Sequence, residues 1–391
     1  MELVIHHLAN ALCEIGCDVT VLAGRVKRVK DSGEFERKYG LVRHGARFLG
    51  SGRLGVDSAS AIIRLIIEHQ RKKFDLLNCH GVSYAASRAV FANKFINLPL
   101  VMTPHGEDIQ RVPEIGYGLR LQKKWDRIIQ SNLSKADVVT AISDSIKNEL
   151  RFLPGEKIEV IPNGIDLRGF RVAKTNYLHE LLKLKQEKKI VLSVGRNHIK
   201  KGYEYGIRAF AVLKEKRICD DLVYVIVGRD TRSLEPLLQS HSLRERVYLL
   251  PQLDRNATIK CYQSAWCFFS PSIIEGLSLV SIEAMAMGLP LLVTDVPGNI
   301  DVVRDNRCGL IARNKDPDSM AEALLSLQSS PRAYQKYSST ALERVINYDW
   351  TNIAQKYCDV YCKALGSSQT RKKRSLNQFK VVGSKSPRPL L

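Results

Sequence analysis

The 391-residue sequence contains no apolar stretch long enough to span a bilayer. Its first residues show no basic segment followed by an apolar core, the pattern of a secretory leader. Both absences point to a cytoplasmic protein, with at most peripheral contact on the inner face of a membrane. Zinc-ligand spacing, a basic helix with heptads and an aromatic RNA-binding signature are also missing, so nucleic acid is not an expected partner. Acid is scarce: 40 Asp and Glu stand against 60 Lys and Arg, for a net charge of +20. Residues 366–391 hold no acid at all and carry +7 through Arg371, Lys372, Lys373, Arg374, Lys380, Lys385 and Arg388. The remainder divides into about +6 before residue 169 and about +7 from there to 365. Such a chain attracts polyanions, which leaves phosphorylated substrates or an anionic membrane surface as partners.

Cysteine is present without a framework. The nine cysteines are odd in number and scattered, and several sit inside apolar runs, as Cys267 does between Trp266 and Phe268. They read as buried free thiols in a reducing compartment. Cys13/Cys17 and Cys358/Cys362 have helical i, i+4 spacing, but no matching His or Cys pair completes a metal site, so no metal is expected.

What the sequence does have is 45% apolar residues, enough for two cores at ordinary domain sizes. Short β-branched runs alternate with amphipathic segments. In the first half the strand-like runs cover 18–22, 76–79, 98–103, 138–142 and 158–161. In the second half they cover 190–194, 222–227, 247–250, 267–270, 291–294 and 309–312. Helical patterns lie between them, for example over 143–152, 204–214 and 316–328. This alternation predicts parallel sheets covered by helices on both faces, with the pattern restarting after Pro162-Asn163-Gly164. The expected architecture is two doubly wound α/β domains, 1–168 and 169–348, with a ligand cleft beyond the carboxyl ends of their strands. A terminal helix is expected over 349–365, followed by a basic disordered tail over 366–391. The opening is unusual: helix begins at once, without the strand and Gly-containing loop that normally precede it.

Two constellations carry chemistry. Gly195-Arg196 and Lys201-Gly202 follow a buried strand, so both cations should sit at the carboxyl edge of the sheet. They suit a diphosphate, although two solvated loop cations would read the same way. The second runs from Ser272 through Glu275, Gly276, Leu277, Ser278 and Glu283 to Gly288. Gly276 allows close backbone approach, the following helix would aim its amides at the cleft, and each carboxylate can accept from vicinal hydroxyls. Glu283 lies in a mostly apolar stretch and needs a partner.

These residues, with Pro162-Asn163-Gly164-Ile165-Asp166 and His105-Gly106-Glu107, resemble the retaining glycosyltransferases of family four, the glycosyl transferases group 1. The resemblance covers residues 1 to about 365 and implies a GT-B fold whose first strand and Gly-rich loop would precede Met1. It implies a metal-independent transfer of a hexose from a UDP- or GDP-linked sugar to a glycan or lipid-linked acceptor, in cell-surface polysaccharide, lipopolysaccharide or glycolipid synthesis. Arg196 and Lys201 would hold the donor diphosphate and Glu283 the ribose. Glu275, with the amides of Gly276, Leu277 and Ser278, would hold the transferred sugar and distal phosphate. His105 would face the sugar from across the cleft, so His105 and Glu275 are the catalytic candidates. Gly106, Asn163 and Gly164 would shape the cleft. In the resemblance a Glu is common where Asp301 stands. A non-catalytic sugar-nucleotide-binding or assembly subunit is the second reading; an epimerase or phosphorylase on a related fold is a third, which the spacing does not match. The stretch 117–135 mixes apolar residues with Arg120, Lys123, Lys124 and Arg127. It fits either a helix packed on its own domain or a membrane-surface face.

Overall fold

The computed structural model describes residues 1–24, 36–45, 54–170 and 172–376, without the side chains of 54–57, 304–306 and 367–376. The chain enters helix α1 (Glu2–Glu14) directly, then forms β1 (Thr20–Gly24) and β2 (Gly40–His44), a parallel pair. Next come α2 (Leu54–Lys72), β3 (Leu77–His80), α3 (Tyr84–Ile96), β4 (Leu100–Thr103), α4 (Lys123–Ser134), β5 (Val138–Ala141), α5 (Asp144–Asn148) and β6 (Ile158–Val160). Strands β3 to β6 pair in sequence order as a parallel sheet, separate from β1 and β2.

The second half contains α6 (Tyr177–Leu182), β7 (Lys189–Val194), α7 (Tyr203–Glu215), β8 (Leu222–Val227), α8 (Glu235–Ser240) and β9 (Val247–Leu250). It continues through α9 (Arg255–Ser264), β10 (Cys267–Ser270), α10 (Leu279–Ala286), β11 (Leu291–Thr294), α11 (Pro297–Asn306), β12 (Gly309–Ala312), α12 (Pro317–Ser329) and α13 (Pro331–Arg344). Its six strands are all parallel, in the order β12-β11-β10-β7-β8-β9. The order reverses between β7 and β10, and such a switch point leaves a crevice at the carboxyl ends of those strands. Strand β8 is buried at every position, which is why Leu222–Val227 reads as a continuous apolar run rather than an alternating one.

The chain crosses between the halves twice, side by side. Ile165 pairs with Asp349 as an isolated parallel bridge, and the Ile165 amide donates to Tyr348 O at 2.8 Å. Gly164 permits the approach: a Cβ there would lie 2.7 Å from the Trp350 ring and 2.9 Å from Tyr348 O. Asn163 is buried beside it. The last helix, α14 (Trp350–Leu376), then returns to the first half. Its stripe of Trp350, Ile353, Ala354, Tyr357 and Val360 packs with Val4, Leu8 and Leu12 of α1 and with Val101 and Val138 of the sheet.

Three sequence expectations need correction. The terminal helix does not stop at 365 but continues to Leu376, so Arg371–Arg374 belong to its last turns. Tail residues 377–391 lie outside the described residues. Strand β2 was not anticipated, because five residues carrying Arg43 and His44 give no clear alternation. The helical segment over 143–152 is helical only over Asp144–Asn148. All nine cysteines are free thiols, and Cys17 Sγ lies 3.7 Å from Cys358 Sγ where α1 meets α14. Among the described residues no helix is long and apolar enough to cross a membrane.

Candidate functional site

The site forms where the carboxyl ends of β7 and β10 face the ends of β3, β4 and β5 across the cleft. After β7, Gly195 turns the chain and a short turn at Ile199–Lys201 carries Lys201 inward. Gly202 has a φ of +59°, and a Cβ there would meet Pro271 O at 2.1 Å. The loops after β7 and β10 therefore pack backbone to backbone, and the Ile273 amide donates to Lys200 O at 2.7 Å. This contact brings Lys201 Nζ to 2.5 Å from Glu275 Oε1, which also accepts from Ser272 Oγ at 3.2 Å. Burial alone would raise the Glu275 carboxyl. Lys201, Lys200 and the two hydrogen bonds more than offset it, so the group is held below its ordinary value. Glu275 is thus a buried carboxylate. Arg196, by contrast, is exposed and makes no ion pair among the described residues.

Glu283 lies on α10, half-buried, and accepts from Tyr262 Oη at 2.8 Å. Tyr262 is the partner that the apolar surroundings required. Burial raises the Glu283 carboxyl, and the Tyr262 bond and nearby Arg255 lower it only in part. Ser278 caps α10, and its Oγ accepts from Ser281 Oγ at 2.8 Å, so this side chain is engaged within the helix start. Leu277 packs against the cores of both halves.

Gly276 approaches the other half. Its Cβ position is 3.6 Å from both Gly106 Cα and His105 O. Its carbonyl accepts from Ser143 Oγ at 2.6 Å, while Gln110 Nε2 donates to Glu275 O at 3.0 Å. Asp301 Oδ2 accepts the Ser145 amide at 3.0 Å, so the shorter acid at this position still binds a backbone donor of the first half. The structure therefore brings His105 and Gly106 together with Glu275, Gly276 and Lys201. It places Asn163 and Gly164 at the inter-domain crossing.

Sequence reasoning missed three residues that shape the His105 side. Asp108 is buried and accepts the amides of His105 and Val82 at 2.9 Å and of Gly106 at 3.1 Å, which fixes the loop after β4. His80, at the end of β3, places Nδ1 2.9 Å from His105 Nε2. Burial lowers the His105 pKa to about 4 and drives that of His80 well down, so both rings are neutral at pH 7. Gln110 supplies the link to Glu275. The available signals were an Asp three residues after His105 and a second His at a strand's carboxyl end.

Two doubly wound domains with a paired cation and carboxylate at the switch point of one, facing a histidine loop of the other, define a GT-B glycosyltransferase. Sequence comparison assigns the two halves separately. The description "Glycosyltransferase Family 4" matches residues 1–168, and "Glycosyl transferases group 1" matches residues 177–344. The chain belongs to this family of glycosyltransferases. It is 29% identical over 302 residues to an uncharacterised glycosyltransferase of Methanocaldococcus jannaschii, covering 74% of this chain and 75% of that one. It is 25% identical to the UDP-Gal:alpha-D-GlcNAc-diphosphoundecaprenol alpha-1,3-galactosyltransferase of Escherichia coli, covering 78% and 80%. The fold matches that of sucrose-phosphate synthase from Thermosynechococcus elongatus with a TM-score of 0.78, at 21% identity and 93% coverage of both chains.

Proposed function

We propose that this glycosyltransferase moves a hexose from a UDP- or GDP-linked sugar to a glycan or lipid-linked acceptor, with retention and without a metal, on the cytoplasmic face of a membrane. Residues 1–168 take the acceptor and 169–348 the donor. The observation that carries the reading is the Lys201–Glu275 pair at the β7/β10 switch point, with the adjoining Gly276 against the His105 carbonyl across the cleft. The name of the Escherichia coli relative, with its UDP-linked sugar and lipid-diphosphate acceptor, supports the substrate class.

Breaking the sugar–phosphate bond builds positive charge on the sugar and negative charge on the diphosphate. Lys201, Arg196 and the amides at the start of α10 stabilise the leaving group, in the role a divalent cation fills elsewhere. Glu283, oriented by Tyr262, accepts from the ribose hydroxyls. Glu275 accepts from sugar hydroxyls and holds Lys201 in place. His105, neutral at pH 7, serves as a hydrogen-bonding partner to the sugar without adding repulsion to the developing positive charge. The acceptor hydroxyl attacks from the face the diphosphate leaves, and the diphosphate takes its proton. This product assembles into cell-surface polysaccharide, lipopolysaccharide or glycolipid.

A thermal-shift screen of UDP- and GDP-sugars, followed by donor hydrolysis with a chelator present, tests the reading. One nucleotide sugar should stabilise the protein and turn over slowly. Arg196→Ala and Glu283→Ala should weaken both effects. Unchanged behaviour in both variants would overturn the proposal.

A further inference from the structure

Helix α3 packs Ala86, Ala89, Val90 and Ile96 on its own domain and carries a second, aromatic face that this packing does not use. Its buried residues are Ala86 and Ala92, while Phe91 and Phe95 are 47% and 66% exposed and Tyr84 is 41% exposed. Large aromatics normally occupy the buried face. Tyr84, Arg88, Phe91 and Phe95 follow at i, i+4, i+7 and i+11, so they form one continuous stripe along the helix. The Phe91 and Phe95 rings lie 5.8 Å apart, and Lys94 Nζ sits 5.5 Å from the Phe91 ring. No acid occurs anywhere in Tyr84–Ile96.

The neighbouring α4 extends this face with charge. Tyr84 packs edge-on against Trp125 at 4.4 Å, and Lys123, Lys124 and Arg127 of α4 are exposed. Trp125 is half-buried beneath Tyr84, and Ile129 and Leu133 of α4 are buried in the domain core. Arg120 is withdrawn too, buried against Asp126 at 2.6 Å. The sequence stretch 117–135 therefore supplies cations to the surface, and α3 supplies the apolar wedge.

We propose that the Phe91/Phe95 face of α3, with Lys94 and the cations of α4, docks this protein on an anionic lipid bilayer. Charge complementarity selects the occupant: α3 has no acid, and the one acid of α4, Asp126, is paired with Arg120, so exposed aromatics flanked by Lys94, Lys123, Lys124 and Arg127 match anionic headgroups over acyl chains. Position gives the docking a purpose. The first turn of α3 is fixed to the site: the Val82 amide is bound by Asp108, and Asn132 Nδ2 donates to Val82 O, Ser83 O and Ser87 Oγ. The stripe runs outward from there for about 16 Å at 1.5 Å per residue. This deepens the reading of a lipid-linked acceptor, whose headgroup would be held within reach of the His105 loop.

Vesicle co-sedimentation of the full chain tests the docking, using phosphatidylcholine with and without phosphatidylglycerol. The wild type should bind only the anionic vesicles. Phe91→Ser with Phe95→Ser should weaken binding about tenfold or more, because two exposed aromatics no longer leave water. Lys123→Gln with Lys124→Gln should weaken it about fivefold per charge. Both variants should keep the wild-type Tm and donor hydrolysis, since all four residues are exposed and none lies in the donor site. Equal vesicle binding by the phenylalanine variant would overturn the proposal. So would a wild-type dimer in solution that the phenylalanine variant dissociates, which would assign the face to a second copy. Absence of nucleotide-sugar turnover in the wild type would remove the transferase reading while leaving the docking result intact.

Discussion

The neutral histidine pair behind the cleft should make the fold acid-labile well above the usual carboxylate range. His105 and His80 are forced neutral by burial, and they adjoin each other at 2.9 Å. In the unfolded chain each titrates near 6.5. A histidine whose folded pKa is depressed leaves the unfolded state binding more protons, so stability is full above 6.5 and falls as pH drops toward 4. For His105 alone, a shift to about 4 corresponds to about 2 kcal/mol lost by pH 5 and about 3 kcal/mol once titration is complete. That is a large part of a typical stability of about 5–15 kcal/mol. The measurement is urea unfolding at pH steps between 7.5 and 4.5, on the wild type and His105→Asn. Between pH 6.5 and 4.5 the wild type should take up about one more proton on unfolding than the variant, so its stability should fall more steeply. Parallel pH profiles would refute the reasoning and show that the His105 ring reaches solvent and titrates normally.

The other predictions concern the donor side and the crossing. Lys201→Ala should abolish turnover and lower stability by about 3 kcal/mol, because it leaves the buried Glu275 carboxylate without its cation; urea unfolding read beside hydrolysis separates the two effects. Arg196→Ala should raise the donor KM with no change in Tm, since the side chain is exposed and unpaired among the described residues. Tyr262→Phe should cost about 1 kcal/mol and move the Glu283 carboxyl further up, seen as weaker nucleotide-sugar binding at mildly acidic pH. Gly164→Ala places a methyl within 2.7 Å of the Trp350 ring and should destabilise by about 2 kcal/mol, visible as a lowered Tm with donor binding retained.

Much of the framework was legible because it rests on local patterns. Continuous apolar runs such as Leu222–Val227 and Leu291–Thr294 are strands of a sheet buried on both faces, and the structure has them at those positions. Periodicity failed where burial is partial. Among the described residues strand β2 pairs with β1 alone, and it carries Arg43, so it lacks an apolar signature. The end of α14 lies beyond 365, where Ser, Gly, Pro and basic residues together read as a solvated tail, although Gln369, Arg371, Lys372, Lys373, Arg374 and Leu376 within the helix are good helix formers. On the candidate site, Lys201 and Glu275 are legible by their type at a strand's end, and the structure brings them together. The sequence alone does not single out Asp108, whose role is to accept three backbone amides, because those donors come from two separate strand ends and meet only in the fold. Nor does it show that Lys201 and Glu275 pair with each other, which depends on the close backbone contact at Gly202.

That pairing changes how the two halves communicate. Gln110 and Ser143 hold the Glu275 and Gly276 carbonyls, so the first half grips the loop after β10 by its backbone and leaves the Glu275 side chain to Lys201. Glu275 and Gly276 thus face both ways: their carbonyls bind the first half and the carboxylate orders Lys201 of the second. A ligand that displaces the Glu275 backbone from Lys201 would also move the carbonyls that Gln110 and Ser143 bind. Conversely, opening the cleft releases those carbonyls and loosens the loop that positions Glu275. If the donor binds at Glu275 as proposed, binding and closure share one short segment, and linkage requires each to bias the other. Asp301 joins the same contact from α11: it accepts the amide of Ser145, whose hydroxyl donates to the Gly276 carbonyl at 3.4 Å.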